Sequence, residues 1–128
     1  MTAAMELLAK HRMSIGGQAR DSASGQVIEI RDKFDGHLIG TVPAGTVADA
    51  QDALDAAVAG AETWSATPAF RRAAILKTAA AQIRADRAQL SAMLSAENGK
   101  TIADARAEID TTARIFDGFA EESLRLFG

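Results

Sequence analysis

The sequence predicts a mostly helical chain in which three short strands precede three long amphipathic helices. Between Arg12 and Val42, apolar and polar residues alternate, which is the period of a half-buried strand. From Thr46 onward, apolar residues recur three and four positions apart, which is the period of a helix. We therefore divide the chain into a strand and hairpin region, residues 1–45, and a helical region, residues 46–128.

Each expected strand contains apolar residues two positions apart. They are Met13 and Ile15 before Gly16-Gly17, then Ile28 and Ile30, then Leu38 and Val42 around Gly40. Asp35-Gly36 separates the second strand from the third, and this dipeptide supplies the positive φ angles of tight hairpin turns. We predict a hairpin from these two strands, a loop at residues 20–25, and a strand end at Pro43, which cannot donate a ladder hydrogen bond.

The first helix is predicted to begin at Thr46, because Asp49 three residues later completes a start resembling a capping box. Its apolar stripe consists of Val47, Ala50, Leu54, Ala57, Val58 and Ala61. We expect the helix to end near Trp64, the only tryptophan, and the indole to fill a gap between helices in the core.

The second helix is predicted to begin at Thr67-Pro68, a polar cap followed by proline at the first helical position. Its apolar stripe begins at Phe70 and reaches the region of Ala96. The stripe changes phase at residues 85–87, which indicates a bend or a break.

The third helix is predicted to follow a turn at Asn98-Gly99, where glycine supplies the left-handed residue that closes a helix C-terminus. Thr101 with Asp104 repeats the capping pattern. An apolar stripe then extends from Ile102 to Phe127.

The composition is that of one ordinary folded domain. The chain has 128 residues, of which 48% are hydrophobic and 24% charged. A net charge of −3 with interspersed signs lacks the basic stripe that nucleic acid requires, so we expect no nucleic-acid partner. Charged residues interrupt the apolar N-terminal stretch before it could form a secretory or membrane-spanning segment, so we expect no membrane partner and a cytoplasmic location.

Several patterns in the chain suggest chemistry, but each has a simpler interpretation. Gly99-Lys100-Thr101 resembles the end of a phosphate-binding loop, yet Leu94 occupies the position where that loop needs its first glycine. His11 and His37 lack metal-ligand spacing, so we predict surface histidines and no metal site. For Glu97 and Glu108 we prefer a cap or a salt bridge to Lys100 over paired catalytic carboxylates. For Arg71-Arg72 we prefer a surface role or an ion pair over an anion site.

The order of motifs resembles the N-terminal segment of the NAD(P)-dependent aldehyde dehydrogenase superfamily. The resemblance rests on Trp64, Arg71-Arg72, Ile75-Leu76, Glu97-Asn98-Gly99-Lys100, Ala105 and Glu108, and upstream on Ile15-Gly16-Gly17, Asp35-Gly36 and Ile39 to Pro43. It implies a parent protein of the α/β class, of which residues 1–128 are a single N-terminal portion. The family usually has Asn-Pro after the second strand, where this chain has Asp32-Lys33, so the turn lacks its rigid proline.

The resemblance also implies a reaction, in which a cysteine thiolate attacks an aldehyde, hydride passes to NAD or NADP, and the thioester is hydrolysed. This chain has no cysteine, so we assign it no catalytic residue, no cofactor-binding residue and no activity when isolated. In the family, the helix after the glycine-lysine turn lines the aldehyde entrance. That face presents Ala107, Asp110, Thr111 and Arg114 here, and we name Ala107 and Thr111 as entrance candidates. Plain solvent exposure is the alternative for both.

Two hypotheses for the whole chain stay open at this point. In the first, it is the N-terminal part of an enzyme that oxidises an aldehyde to a carboxylate, and the sequence stops at Gly128 where the family continues with a strand. In the second, it is a free-standing helical protein-interaction module. The apolar surface of the third helix extends beyond one stripe, so we also expect a homo-oligomer or self-association. The residues that extend it are Phe116, Phe119, Leu124, Leu126 and Phe127.

Overall fold

A computed structural model describes residues 11–125 of the chain. Contacts divide it into two compact units, one ending at Thr63 and the other beginning at Trp64. The first unit contains the strands and most of the first helix, and the second contains a bundle of three helices. The predicted class, a mostly helical segment with short N-terminal strands, is confirmed.

The first unit contains two separate antiparallel hairpins. Strands β1 (Met13–Ile15) and β2 (Gln18–Arg20) pair with Ile15 opposite Gln18. Gly16 and Gly17 form the connecting turn with φ angles of 59° and 75°, a left-handed pair that favours glycine. Strand β2 was not predicted, because its three side chains are all exposed and show no apolar alternation. The described residues therefore contain four strands, where three were predicted.

The second hairpin is the one that the sequence predicted around Asp35-Gly36, and it is confirmed. Strands β3 (Val27–Arg31) and β4 (Leu38–Pro43) pair in register up to Ile30, opposite Gly40, and the register then shifts between Ile30 and Arg31. Gly36 adopts the expected positive φ, at 78°. Ile39 is buried, but Val27 and Ile28 are more than half exposed, so the hairpin leaves much of its apolar surface open.

The first helix, α1 (Val47–Ala66), begins with the predicted capping box, in which the Asp49 N–H donates to Thr46 Oγ1 over 3.2 Å. Its apolar stripe lies on one face as predicted, but that face is exposed: Val47 by 88% and Val58 by 61%. Trp64 is 45% exposed, so the expectation that it belongs to the core is wrong.

The second unit contains helices α2 (Ala69–Ala85), α3 (Arg87–Asn98) and α4 (Ile102–Ser123). The predicted phase change is a true break at Asp86, so the expected second helix is two helices. Residues 46–125 therefore contain four helices, where three were predicted. Pro68 occupies the N-cap position of α2. The expected apolar residues Leu126 and Phe127 lie outside the described residues.

Small side chains form the centre of this bundle. Helix α4 packs against both α2 and α3. The residues that are fully buried within the described part of the chain are Ala80, Ser91, Ala105, Ala113 and Ala120. Because an alanine side chain occupies so little space, the helix backbones approach closely along these positions.

Candidate substrate-entrance face

Helix α4 has one buried side and one open side. Ala105, Ala113 and Ala120 are buried against the bundle, whereas Ala107 and Thr111 are exposed. At 3.6 residues per turn, these two groups lie on opposite sides of the helix. The two entrance candidates therefore occupy the open side, which is compatible with both the entrance role and plain solvent exposure.

The hydroxyl of Thr111 has a defined partner on this open side. Arg114 Nη2 donates to Thr111 Oγ1 over 2.8 Å, one helical turn away. Arg114 is exposed, and its partner in this hydrogen bond is a neutral group. The open side thus presents the methyl of Ala107, a hydroxyl and a guanidinium group.

The side chain of Asp110 is not open to solvent in the same way, although the sequence analysis placed it on the same face of α4 as Ala107 and Thr111. Arg87, the first residue of α3, donates two hydrogen bonds to its carboxylate, from Nε to Oδ1 at 2.6 Å and from Nη2 to Oδ2 at 2.7 Å. The bond from Arg87 is the main reason why the pKa of Asp110 lies below its ordinary value, and it also raises the pKa of Arg87. Asp110 therefore joins two helices, and its carboxylate is already occupied.

Within residues 11–125, ion pairs connect α4 to the turn before it and to both neighbouring helices. Lys100 pairs with Glu108, Arg87 with Asp110, and Arg84 of α2 with Asp117. Single exposed pairs contribute little to stability. The fully buried alanines of α4 lie on one side of the helix, which leaves Ala107 and Thr111 on the opposite, open side.

The turn before α4 is a helix cap and not a phosphate-binding loop. Gly99 closes α3 with φ of 82°, and its N–H donates to the Ser95 carbonyl over 2.8 Å. Ser95 Oγ donates to the Lys100 carbonyl over 2.8 Å, and the Lys100 ammonium group pairs with Glu108. The predicted salt bridge between Lys100 and Glu108 is confirmed.

Arg72 also has a structural role. Its Nη1 donates to the Thr67 carbonyl over 2.7 Å, so the guanidinium group binds backbone just before α2. The sequence favoured a surface role or an ion pair over an anion site, and Arg72 instead binds backbone carbonyls.

The first unit contains a buried carboxylate. Asp49 is 4% exposed, and its oxygens accept from Thr46 N and Oγ1, both at 2.8 Å, and from Ser22 Oγ and Ala23 N, both at 3.2 Å. These hydrogen bonds, with the Thr46 N–H first among them, hold the pKa of Asp49 below its ordinary value although burial opposes the shift. All the donors are backbone N–H and hydroxyl groups, two of them from residues 22 and 23, so Asp49 fixes the loop before β3 to the start of α1.

One group of possible metal ligands occurs in the part of the chain that is described. Asp32, Asp35 and His37 bring one ligand atom each to within 4.8 Å of one another in the turn between β3 and β4. Asp35 Oδ1 lies 2.5 Å from His37 Nδ1, and this bond is the main cause of the lowered pKa of Asp35. The group is exposed and its members bond to one another, which accounts for its geometry without an ion.

The described residues do not fit a dinucleotide. Such a cofactor binds where a parallel strand leads through a glycine-rich turn into a helix. Both sheets here are two-stranded and antiparallel, and the glycines with positive φ lie in the hairpins, in the loop before β3 and at the end of α3. A shallow groove of about 340 Å³ is lined by Met13, Ile15, Gly45, Thr46, Asp49, Ala50 and Ala53, and its polar members already bond to one another.

Two features of the site were missed by the sequence analysis. The pair of Arg87 with Asp110 spans 23 positions, and no local pattern relates them. The loop partners of Asp49, Ser22 and Ala23, lie more than twenty positions before it. The capping pattern at Thr46 gave a signal for Asp49, but only for its helical partner.

No helix among residues 11–125 combines the length and the apolar character needed to cross a bilayer.

The family model for the aldehyde dehydrogenase family matches residues 19–128. Glutarate-semialdehyde dehydrogenase of Pseudomonas putida is 31% identical over 121 residues, which cover 94% of this chain and 25% of the relative. An NADP(+) succinate-semialdehyde dehydrogenase of Escherichia coli is 30% identical over 121 residues, with the same coverage.

Comparison of the fold with solved structures identifies the same family. Betaine aldehyde dehydrogenase of Staphylococcus aureus, solved in complex with NAD+, matches with a TM-score of 0.87 and 31% identity over 92% of this chain and 24% of that one. The chain spans about a quarter of the length of the relatives that it matches. The sequence motifs, the hairpin followed by the helical bundle, and these matches agree: the chain belongs to the aldehyde dehydrogenase family.

Proposed function

We propose that this chain is the N-terminal portion of an NAD(P)-dependent enzyme that oxidises an aldehyde to a carboxylate. The observation that carries the proposal is the family match over residues 19–128. The chain lacks cysteine, so the thiolate nucleophile of such a reaction has to come from the rest of the enzyme. NAD or NADP would accept hydride when bound by that remainder.

Within this enzyme, we assign the chain a scaffolding role and one wall of the substrate entrance. Ala107 and Thr111 would form that wall, because they lie on the open side of α4 while its other side is packed in the bundle. The ion pairs of Asp110 and Asp117 would hold the wall in position. None of these side chains supplies a reacting atom.

Small anionic aldehydes are the substrate class that we favour. Two of the relatives are named for semialdehydes, which carry a carboxylate at the far end of the molecule. Arg114, whose guanidinium group donates to Thr111, is the cationic residue of the open side that would pair with such a carboxylate. We further propose a cytoplasmic enzyme that works as a homo-oligomer.

The role of the entrance wall is tested by steric block in the natural full-length enzyme. Thr111→Trp should raise KM for bulky aldehydes by about tenfold and change KM for the smallest aldehydes little, because a large side chain narrows the passage. Arg106→Trp, at another exposed position of α4, is the matched control and should leave both values unchanged. Equal kinetics for the two variants would leave Thr111 as an ordinary solvent-exposed residue.

The assignment of chemistry to the rest of the enzyme is tested with the chain alone. We expect no oxidation of succinate semialdehyde or of betaine aldehyde with either nucleotide, and no micromolar binding of NAD+ by calorimetry. Turnover by the 128-residue chain would overturn that assignment.

Two measurements separate the enzyme from a free-standing interaction module. The intact mass of the polypeptide from its natural source should exceed the 13.4 kDa of this chain. Light scattering of the isolated chain should show self-association, since Phe119 is 66% exposed and Val47 and Val58 are also open. A natural 13.4 kDa product that stays monomeric with a sharp melt would favour the module.

A further inference from the structure

Asn98 is the only asparagine in the chain, and it is followed by glycine. It is exposed and is the last residue of α3. Asparagine is among the thermolabile residues, and a following glycine offers least steric hindrance, having no Cβ, to a reaction at its own backbone nitrogen. Neither the family match nor the proposed function uses this property.

We propose that Asn98-Gly99 is a deamidation site whose reaction is gated by the cap at the end of α3. The Gly99 backbone nitrogen attacks the Asn98 side-chain carbonyl carbon, a C–N bond forms, and the side-chain nitrogen leaves as ammonia with the proton from Gly99. Water then opens the five-membered succinimide at either carbonyl. The products are an aspartate or an isoaspartate at position 98, and no oxidant, metal or cofactor is consumed.

The folded backbone opposes this attack in two ways. Side chains of an α-helix are directed toward its N-terminus, so the Asn98 side chain points away from the nitrogen of the next residue. That nitrogen is also engaged, because the Gly99 N–H donates to the Ser95 carbonyl over 2.8 Å. The reaction therefore requires the last turn of α3 to open.

Two further contacts close the cap from the other side. Ser95 Oγ donates to the Lys100 carbonyl over 2.8 Å, and Lys100 is held by Glu108 of α4. Opening of the last turn at Gly99 disturbs both contacts. Their strength therefore sets how often the Gly99 nitrogen can reach the side-chain carbonyl carbon of Asn98.

Aspartate precedes glycine at two other sites, and each is protected in a different way. Asp117-Gly118 lies inside α4, where the helix continues on both sides. In the hairpin turn, the Gly36 N–H donates to the Asp32 carbonyl over 2.9 Å, and Asp35 is bonded to His37. Asn98-Gly99 is the one with a neutral amide, a better electrophile than a carboxylate, at a helix end that can fray.

The reaction would change the region that carries the entrance candidates. An aspartate adds negative charge at a helix C-terminus, where the helix dipole disfavours it. An isoaspartate adds a methylene group to the backbone inside the cap. Either product weakens the turn that joins α3 to α4.

The experiment uses the purified chain, incubated in mildly alkaline buffer below its melting temperature, with and without denaturant. Peptide mass mapping and enzymatic methylation of isoaspartate measure the product at position 98. We expect the denatured chain to react at least about tenfold faster than the folded chain. Asn98→Gln should abolish the product.

Variants test the gate itself. Ser95→Ala and Glu108→Gln, each checked by circular dichroism, should raise the folded-state rate about threefold by weakening the two closing contacts. Arg84→Gln is the matched control, because it breaks an ion pair of α4 with α2 far from the cap, and should leave the rate unchanged.

Three results would overturn the proposal. Equal rates in folded and denatured chains would show that the cap does not gate the reaction. Rates unchanged in both Ser95→Ala and Glu108→Gln would remove the two contacts as its cause. Absence of product at position 98 in the denatured chain would show that this is not a modification site.

Discussion

The two units of the chain are stabilised in different ways. The helical unit contains fully buried alanines and three ion pairs along α4. In the described part of the strand-containing unit, Ile15 and Ile39 are the buried apolar side chains, and the buried Asp49 connects loop and helix. Its large apolar residues, such as Val47 and Val58, are mostly exposed.

This difference shows that a buried polar group can position elements where apolar burial is scarce. Asp49 accepts hydrogen bonds from both backbone and side-chain donors, and each donor loses its partner if the carboxylate is removed. In the helical unit, the close packing of small side chains positions the helices.

The largest effect is expected from enlarging a buried alanine in the helical unit. Ala113→Leu should destabilise the chain by about 3 kcal/mol, because a fully buried position has no space for the added carbons. Ala107→Leu, on the open side of the same helix, should change stability by less than about 0.5 kcal/mol. Denaturant unfolding followed by circular dichroism gives both values, and similar losses would mean that packing does not distinguish the two sides of α4.

The next effect is expected from the polar centre of the strand-containing unit. Asp49→Ala should lower the melting temperature by about 10 °C and increase amide exchange at Ala23 and Thr46, whose N–H groups lose their acceptor. Asp104→Ala is the matched control, because Asp104 has the same capping position in α4 but is exposed. Equal melting temperatures for the two variants would contradict the central role of Asp49.

Smaller changes in stability, of opposite sign, are expected when two glycines of the helical unit are each replaced by alanine. Gly99→Ala should destabilise by about 1 kcal/mol, because φ of 82° is strained for a residue with Cβ. Gly118→Ala should stabilise by roughly 0.5–1 kcal/mol, because the position is helical and an added Cβ meets nothing within 4 Å. Thermal melts measure both, and a shared sign would show that one of the two conformations is misassigned.

The smallest effect is expected from acid, and it should appear only below pH 3.8. The pKa values of Asp49 and Asp110 lie below the ordinary 3.8, so their contribution to stability is complete above pH 3.8 and is lost as the pH falls through the lowered values. Melts between pH 7 and pH 4.5 should therefore show no loss from these two groups. Asp49→Asn should remove part of the decrease below pH 3.8; an identical decrease in that variant would assign the acid sensitivity to other carboxylates.

The sequence predicted the features that depend on neighbours along the chain. The capping pairs, Thr46 with Asp49 and Thr101 with Asp104, the turns at Gly36 and Gly99, and the break near Asp86 are all local, and all are present. The open side of α4 followed from helical periodicity alone.

The remaining features depend on which elements meet, and one sequence does not specify that. Apolar stripes identify the face of a helix that is suited to burial, yet the stripe of α1 is exposed and Trp64 is only half covered. Asp110 was placed on the open side of α4 by periodicity, but a guanidinium group from α3 reaches it. Strand β2 has exposed side chains, so its pairing with β1 left no pattern to detect.

The division of α4 into a packed side and an open side also bears on how this protein can change over evolutionary time. Positions 105, 113 and 120 have no room for a larger side chain, so substitutions there are selected against through folding. Ala107 and Thr111 are free of that constraint, and their replacement leaves the bundle intact. Related chains could therefore diverge at these two positions, one turn apart, while the helix that carries them keeps its place.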